Sequence, residues 1–456
     1  MENFKNIYFL GIGGIGMSAL ARYFNAKGYA VAGYDRTASA LTRSLESEGI
    51  PVHYQDDVKL IPSGFLDKNT TVVVYTPAVP STMSEMVWFR ENGFSVQKRS
   101  QILGEVTRMS RGLCVSGTHG KTTTSTMLTH LLHNSSVGCS AFLGGISKNF
   151  SNNLVLSEKS DLVVIEADEY DHSFLTLSPY MAVVTAVDAD HLDIYGTVEA
   201  YRQGFVDFTS LVRADGVLLI KEGLPIMPKL KQGIRKYTYS AEKGDFHAEN
   251  IRIGNGEIIF DFVTPQEVVK DIQLGVPVYV NIENGVAAMA IAWLNGVTAD
   301  ELRKGMLSFA GVKRRFDFHV KSDKLVFLDD YAHHPNELKS SIESLRRLYA
   351  GRKLTVVFQP HLYTRTRDLA DDFASALSMA DELMLLDIYP AREQPIPGVT
   401  SQMLLDKVTI ADKKLVTKEQ LLASADSRSY DVLLFVGAGD LDLLVPEMEV
   451  KLKKHI

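Results

Sequence analysis

The sequence predicts an α/β protein of three domains: a Rossmann-like N-terminal domain, a central P-loop ATPase-type α/β domain and a C-terminal Rossmann-like α/β domain. Three observations predict it. Short apolar runs of strand length alternate with helix-length segments along the chain, the pattern of parallel sheets covered by helices. Two glycine loops, Gly11-Ile-Gly-Gly-Ile-Gly16 and Gly117-Thr-His-Gly-Lys-Thr-Thr-Thr124, each follow such a run and open a helical segment. The length, 456 residues, exceeds one ordinary core and suggests about three domains. We set them at residues 1–108, 109–311 and 312–456.

Composition excludes several classes of function. A net charge of −7, with both signs spread through the chain, argues against a general grip on nucleic acid, which needs a basic face. The two cysteines, Cys114 and Cys139, make no metal pattern and cannot supply a secreted-type disulfide framework. The start runs directly into a strand and a glycine loop rather than a signal peptide. No apolar run approaches the roughly 20 residues of a membrane helix. A soluble, cytoplasmic protein with no membrane partner is expected.

In the first domain, Ile7 to Leu10 reads as a strand, Met17 to Lys27 as a helix and Tyr29 to Gly33 as a second strand. Asp35 then falls where a dinucleotide fold places its ribose-binding acid. Alone, this predicts a nicotinamide dehydrogenase. The physical content is less specific: a diphosphate ester on the helix starting near Gly16, cradled by Gly11, Gly13, Gly14, Ile15 and Gly16. A third strand, Thr71 to Tyr75, ends in the rigid loop Thr76-Pro-Ala-Val-Pro80, where Thr76 and Ala78 could line a ligand. The mixed polar stretch from Lys98 to Met109 reads as the link to the next domain.

The second domain opens on Leu113 to Val115, feeding Gly117, Thr118, His119, Gly120, Lys121, Thr122 and Thr123. Glycines let the backbone approach an anion, amides at the helix start point at it, and the lysine offsets its charge. We read an ATP site, with Thr122 placing a hydroxyl on the accompanying Mg2+. The pattern is two residues shorter than the full P-loop, because Val115 stands where the outer glycine would be. After a helix (Thr122 to Leu132) come Phe142-Leu-Gly-Gly145 and the polar Lys148-Asn-Phe-Ser-Asn-Asn153. The strand Leu162 to Ile165 delivers Glu166-Ala-Asp-Glu-Tyr-Asp171, and the strand Met181 to Val187 delivers Asp188-Ala-Asp-His-Leu-Asp193. Carboxylates on such strand ends suit magnesium, which takes oxygen ligands. His191 could be a ligand or a hydrogen-bonded loop histidine. Residues 215–280 read as antiparallel ribbons, and Val280 to Val286 leads into the helix Ala287 to Leu294. Asn281 and Asn284 lie one turn apart and can face one ligand, or cap that helix.

In the third domain Lys313-Arg-Arg315 precedes a strand, Leu325 to Leu328, ending in Asp329-Asp-Tyr-Ala-His-His-Pro335. The strand Thr355 to Phe358 ends in Gln359-Pro-His-Leu-Tyr-Thr-Arg-Thr-Arg367. Leu383 to Leu386 and Val432 to Val436 complete the series, the latter followed by Gly437-Ala-Gly-Asp440. Polar clusters following successive strands should gather on one sheet edge as a face for anions and carboxylates.

Together these motifs, with Arg314-Arg-Phe316 and Phe358-Gln-Pro-His361, resemble the ATP-dependent Mur ligases over essentially the whole chain. The resemblance implies domains for a UDP-sugar, ATP and an incoming amino acid, in that order, with UDP-N-acetylmuramate and L-alanine as substrates and a monomer or weak homodimer. The N-terminal glycine loop and Asp35 would then cradle the UDP-sugar. Lys121 and the loop amides would hold the ATP phosphates, and Thr122, Glu166 and His191 would serve magnesium. Asn281 would face the nucleotide, with Arg315 and Asp330 closing over it. Tyr331, His333 and Arg365 would surround the amino acid. Lys121, His191, Arg315 and His333 would act on the chemistry, an acyl phosphate formed from the lactyl carboxylate and then attacked by the alanine amine.

Two departures from the family pattern bear on this. No lysine occurs between Lys159 and Lys221, where later-acting members carry a carbamylated one; the alanine-adding members resemble this chain in that absence. Leu362 stands where a basic residue often follows Pro-His, which leaves more of the carboxylate contact to Arg365. The alternatives are a recycling ligase that joins a tripeptide to the same sugar nucleotide and, in another class, a nicotinamide-binding oxidoreductase or sensor with an accessory ATPase.

Overall fold

The computed structural model describes residues 4–254, 256–391 and 393–455. The chain divides into two compact units: Met1–Ala248 with Phe262–Val269 and Asn284–Gly305, and Glu249–Asp261 with Lys270–Glu283 and Met306–Ile456.

The first unit holds two sheets. The N-terminal sheet comprises β1 (Asn6–Leu10), β2 (Ala30–Tyr34), β3 (Val52–His53), β4 (Thr71–Tyr75) and β5 (Ser95–Lys98), in the order β3-β2-β1-β4-β5. All its pairings are parallel. The helix Ile15–Ala26 starts within the first glycine loop, with Gly14 as its N-cap and Gly16 already in its first turn. The second sheet contains β6 (Arg111–Ser116), β7 (Ser140–Ser147), β8 (Asn152–Val155), β9 (Leu162–Glu166), β10 (Met181–Val184), β11 (Val217–Lys221) and β12 (Arg235–Tyr239), ordered β12-β11-β10-β6-β9-β7-β8. One continuous apolar core, from Ile7 and Phe9 through Phe24 to Cys114, Phe142 and Ile165, joins both sheets. The central strands are buried on both faces, which is why they read as unbroken apolar runs.

β13 (His247–Gly254), β14 (Glu257–Val263) and β15 (Val268–Gln273) form a separate three-stranded sheet. The second unit's main sheet comprises β16 (Asp317–Lys321), β17 (Val326–Asp330), β18 (Leu354–Phe358), β19 (Glu382–Leu385), β20 (Lys413–Leu415) and β21 (Val432–Val436), in the order β16-β17-β21-β18-β19-β20. Only the β16–β17 pairing is antiparallel. Among the described residues no helix is long and apolar enough to cross a membrane.

Four expectations need correction. The supposed link from Lys98 to Met109 is β5's last residue and the helix Arg99–Met109, which buries Ile102, Leu103 and Val106. Its apolar spacing was masked by the polar residues around it. β11 and β12 are not antiparallel ribbons but parallel strands that extend the second sheet. The alanine-rich helix begins at Val280 instead of Ala287, so Asn281 and Asn284 lie within its opening turns. The strand opened by Met181 ends at Val184, leaving Thr185 to turn toward the phosphate loop.

Candidate active site

β6 lies between β9 and β10, with Val115 paired to Glu166 and Ser116 to Val184. The phosphate loop therefore leaves the sheet flanked by the ends of two parallel strands, the usual ligand edge of such a sheet. Thr185 Oγ1 donates to the carbonyls of Ser116 (3.1 Å) and His119 (2.5 Å), and Thr118 N donates to Ala186 O at 3.1 Å. Gly117 has φ +135°, and a Cβ there would lie 2.1 Å from Thr185 Oγ1. Gly120, at φ +82°, caps the helix Lys121–His133, and a Cβ there would meet Asn284 Oδ1 at 2.8 Å. Both turns thus require glycine. His119 lies 3.9 Å from Asp188, and Thr123 is half-buried in the first helical turn.

Lys121 Nζ donates to Gly117 O (2.7 Å) and to both carboxylate oxygens of Glu169 (2.9 and 2.8 Å). Burial opposes the ammonium charge, but the carboxylates of Glu169 and Glu166 outweigh it and hold the lysine pKa above its ordinary value. Glu169 is itself buried. Tyr201 OH lies 3.3 Å from its Oε1 and Tyr195 OH donates to its carbonyl at 2.6 Å. The sequence offered no sign of this role, because the partners Lys121, Tyr195 and Tyr201 come from three separate helices.

Thr122 Oγ1 donates to Glu166 Oε1 at 3.1 Å, so two of the three residues expected at magnesium do meet. A Cβ at Gly144 would fall 2.0 Å from Glu166 Oε2; Gly144 of β7 makes room for this carboxylate. The hydroxyl and carboxylate oxygens suit a hard cation. His191 has φ +51°, packs edge-on against Tyr170 with ring centroids 5.1 Å apart, and lies 3.7 Å from Asp190. Elsewhere, in the second unit, Asp317, His319 and Asp329 bring ligand-type atoms within 4.8 Å of one another; His319 Nε2 is 2.7 Å from Asp329 there.

The N-terminal glycine loop borders two clefts. The outer one, about 680 Å³, is lined by Gly11, Gly13, Gly14, Asp35, Thr76 and Ala78 among others. Asp35 accepts from Gly13 N (2.8 Å) and Thr37 N (3.0 Å), so it braces the loop as well as facing the cleft. Ile15 and Gly16 instead line an inner cleft of about 320 Å³, with Arg99, Gly144, Glu166 and Asp168. Gly14 and Thr76 border both. Asn153, fully buried, donates to Ile15 O and accepts from Arg22 Nη1 at 3.1 Å, tying the glycine loop to the second sheet.

Asn284 Oδ1 accepts from Thr124 Oγ1 at 3.3 Å, behind the phosphate loop. Asn281 donates from its amide to Val276 O at 3.1 Å.

In the second unit the expected residues gather at the ends of β17 and β18. Arg314 and Arg315 both lie over the Tyr331 ring, at 4.7 and 5.1 Å. Arg314 is also bound to Gly437 O, Gly439 O and Asp442, a structural role. Asp330 accepts from Ser341 Oγ and Phe316 N, and burial pushes its carboxyl up to about 6. His333 Nδ1 is 2.9 Å from Tyr331 O; burial, reinforced by Arg365 and Arg315, lowers its pKa and favours the neutral ring. Arg365 Nη1 lies 3.4 Å from His361 Nδ1, and His361 stacks on Tyr389. His361 was visible only as the histidine of Gln-Pro-His. Arg314, Phe316 and Leu362 all adopt positive φ, the backbone strain that collects at ligand sites.

The sequence matches three family models: "Mur ligase family, catalytic domain" over residues 6–111, "Mur ligase middle domain" over 115–292 and "Mur ligase, glutamate ligase domain" over 314–439. It is 61% identical over 451 residues to the UDP-N-acetylmuramate–L-alanine ligase of Parabacteroides distasonis, covering 99% of this chain and 98% of that one. The enzyme of the same name from Flavobacterium johnsoniae is 46% identical over the full length of both chains. Among solved structures, UDP-N-acetylmuramate-alanine ligase from Thermotoga maritima matches with a TM-score of 0.80 at 26% identity, over 99% of each chain. A murein peptide ligase from Psychrobacter arcticus shares the fold at a TM-score of 0.66 and 20% identity.

Proposed function

The chain belongs to the Mur ligase family and is an ATP-dependent ligase, and from this premise we propose that it joins L-alanine to the lactyl carboxylate of UDP-N-acetylmuramate. The inner cleft carries the reading. It runs from the glycine loop, where a sugar diphosphate would rest, to Glu166 beside the phosphate loop. A carboxylate attached to the sugar would lie in it. The high identity to alanine-adding relatives favours this acceptor over the tripeptide of a recycling ligase, and family membership sets the nicotinamide reading aside.

A carboxylate does not condense with an amine in water, so its oxygen must first become a leaving group. Attack of the lactyl carboxylate on the γ-phosphorus of ATP forms an acyl phosphate and releases ADP. Lys121, the amides at the start of its helix and Arg315 would offset the charge that develops. Thr122, Glu166 and His191 would hold magnesium, which supplies further charge neutralisation at the phosphates. In the second unit Arg365 would hold the alanine carboxylate, while neutral His333 accepts a hydrogen bond from the amine. The amine, once its ammonium proton has passed to solvent, attacks the acyl carbon, and the tetrahedral intermediate expels phosphate, which leaves as hydrogen phosphate with the proton the nitrogen gives up. Asn281 and Asp330 would contact the nucleotide, and Tyr331 the amino acid. The domains at 1–108, 109–311 and 312–456 would bring one substrate each, in the cytoplasm.

Purified protein with ATP, magnesium, UDP-N-acetylmuramate and L-alanine should release phosphate only when all four are present. Equal release without alanine would overturn the ligase assignment. Lys121→Ala should abolish turnover.

A further inference from the structure

Resting on that function, we propose that Arg99 anchors the acceptor carboxylate in the inner cleft before phosphoryl transfer. Arg99 opens the helix Arg99–Met109, whose buried Ile102, Leu103 and Val106 fix its position. The guanidinium lies against the glycine loop: a Cβ at Gly16 would be 2.8 Å from Nη1 and 3.3 Å from Cζ. Gly16 is therefore glycine for a reason beyond the diphosphate, since any side chain would displace the arginine.

The charge pattern of the cleft gives Arg99 its task. Its described charged residues are Arg99, Glu166 and Asp168. With Glu166 assigned to magnesium, Asp168 is the like charge beside which an acceptor carboxylate would enter, and Arg99 is the cationic side chain of the cleft that can offset it. Asp168 lies 3.9 Å from Nη2, both side chains being partly exposed, a pairing too loose and too solvated to hold the guanidinium strongly. The planar fork can turn to a substrate carboxylate and bind both oxygens. Held so, the carboxylate lies between the diphosphate cradle and Glu166, where the γ-phosphoryl group must arrive.

The alternative anion is the diphosphate itself, and one pair of ligands separates the two. UDP-N-acetylglucosamine has the same diphosphate but lacks the lactyl carboxylate. Calorimetry should show the unaltered protein binding UDP-N-acetylmuramate more tightly than UDP-N-acetylglucosamine. Arg99→Met should weaken the first roughly 10- to 100-fold, the loss expected of a charged hydrogen bond, and leave the second nearly unchanged. Arg99→Lys, which keeps the charge without the fork, should retain an intermediate preference, and it carries the test if the Met variant misfolds. Equal weakening of both ligands, or of neither, overturns the anchor while the ligase reading stands. Failure of the unaltered protein to bind UDP-N-acetylmuramate overturns both.

Discussion

The Nζ of Lys121 lies 2.8 Å from Oε2 of Glu169, with the carboxylate only 1% exposed and the lysine 14%. The phosphate-binding cation thus rests on a buried counter-ion of its own. Glu169 and Glu166 hold the lysine charged against its burial. Removing one of those charges lets burial weigh more, so the lysine pKa falls. In Glu169→Gln, the alkaline limb of ATP binding should therefore move to lower pH. Affinity measured across the alkaline range checks this; superimposable profiles for the two proteins would sink it.

A methyl group at Gly144 would collide with the Glu166 carboxylate, 2.0 Å from Oε2 and 2.5 Å from Cδ. Gly144 has no positive φ, so alanine there strains the carboxylate and not the backbone. Gly144→Ala should fold normally and require roughly tenfold more magnesium for half-maximal turnover, the scale expected when a metal ligand is displaced. An unchanged magnesium titration would remove Glu166 from the metal site.

How much of this was legible depended on whether a feature is local. β4 and β21 were readable to the residue, Thr71–Tyr75 and Val432–Val436, because strands buried on both faces are unbroken apolar runs. The phosphate loop was readable because glycine conformation and the following helix are encoded in adjacent residues. Arg99 and Glu169 were not. Their roles arise from contacts with Gly16 and Lys121, far away in the chain: Arg99 read as part of a polar link, and Glu169 as one more strand-end carboxylate suited to magnesium. Asn284 shows the same limit: spacing put two asparagines one turn apart, ahead of the expected helix, and only packing put Asn284 behind the phosphate loop.

Glu85 is fully buried in the N-terminal sheet's core, accepting from Tyr8 OH at 2.8 Å. His53 Nε2 is 3.4 Å away, but burial lowers the histidine pKa, so it offers no firm counter-charge. Burial pushes the Glu85 carboxyl from 4.5 to about 7. Between those values the folded state holds the extra proton, so stability falls as pH rises through that interval, by about 3 kcal/mol in all. Glu85→Gln should remove this slope and raise stability above neutrality. Denaturation midpoints with the same pH dependence in both proteins would contradict the assignment.

Glu382 in the second unit should show the opposite sign. Its carboxylate is 1% exposed, with both oxygens 2.5 Å from Arg428 Nη1 and Nη2 and Lys353 Nζ at 3.1 Å. Burial would raise its pKa, but Arg428 and Lys353 outweigh burial and hold it down from 4.5 to about 2. The stability this contributes is present above about 4.5 and is lost as pH falls toward the lower value. Arg428→Met leaves the buried carboxylate with weaker lysine contacts. It should cost about 2–3 kcal/mol at neutral pH, less than for a fully buried pair because the arginine is partly exposed. That deficit should shrink on acidification, as both proteins come to carry a protonated Glu382. Urea unfolding at neutral and acid pH measures it, and a deficit that persists unchanged in acid would show that Arg428 acts through packing and not through charge.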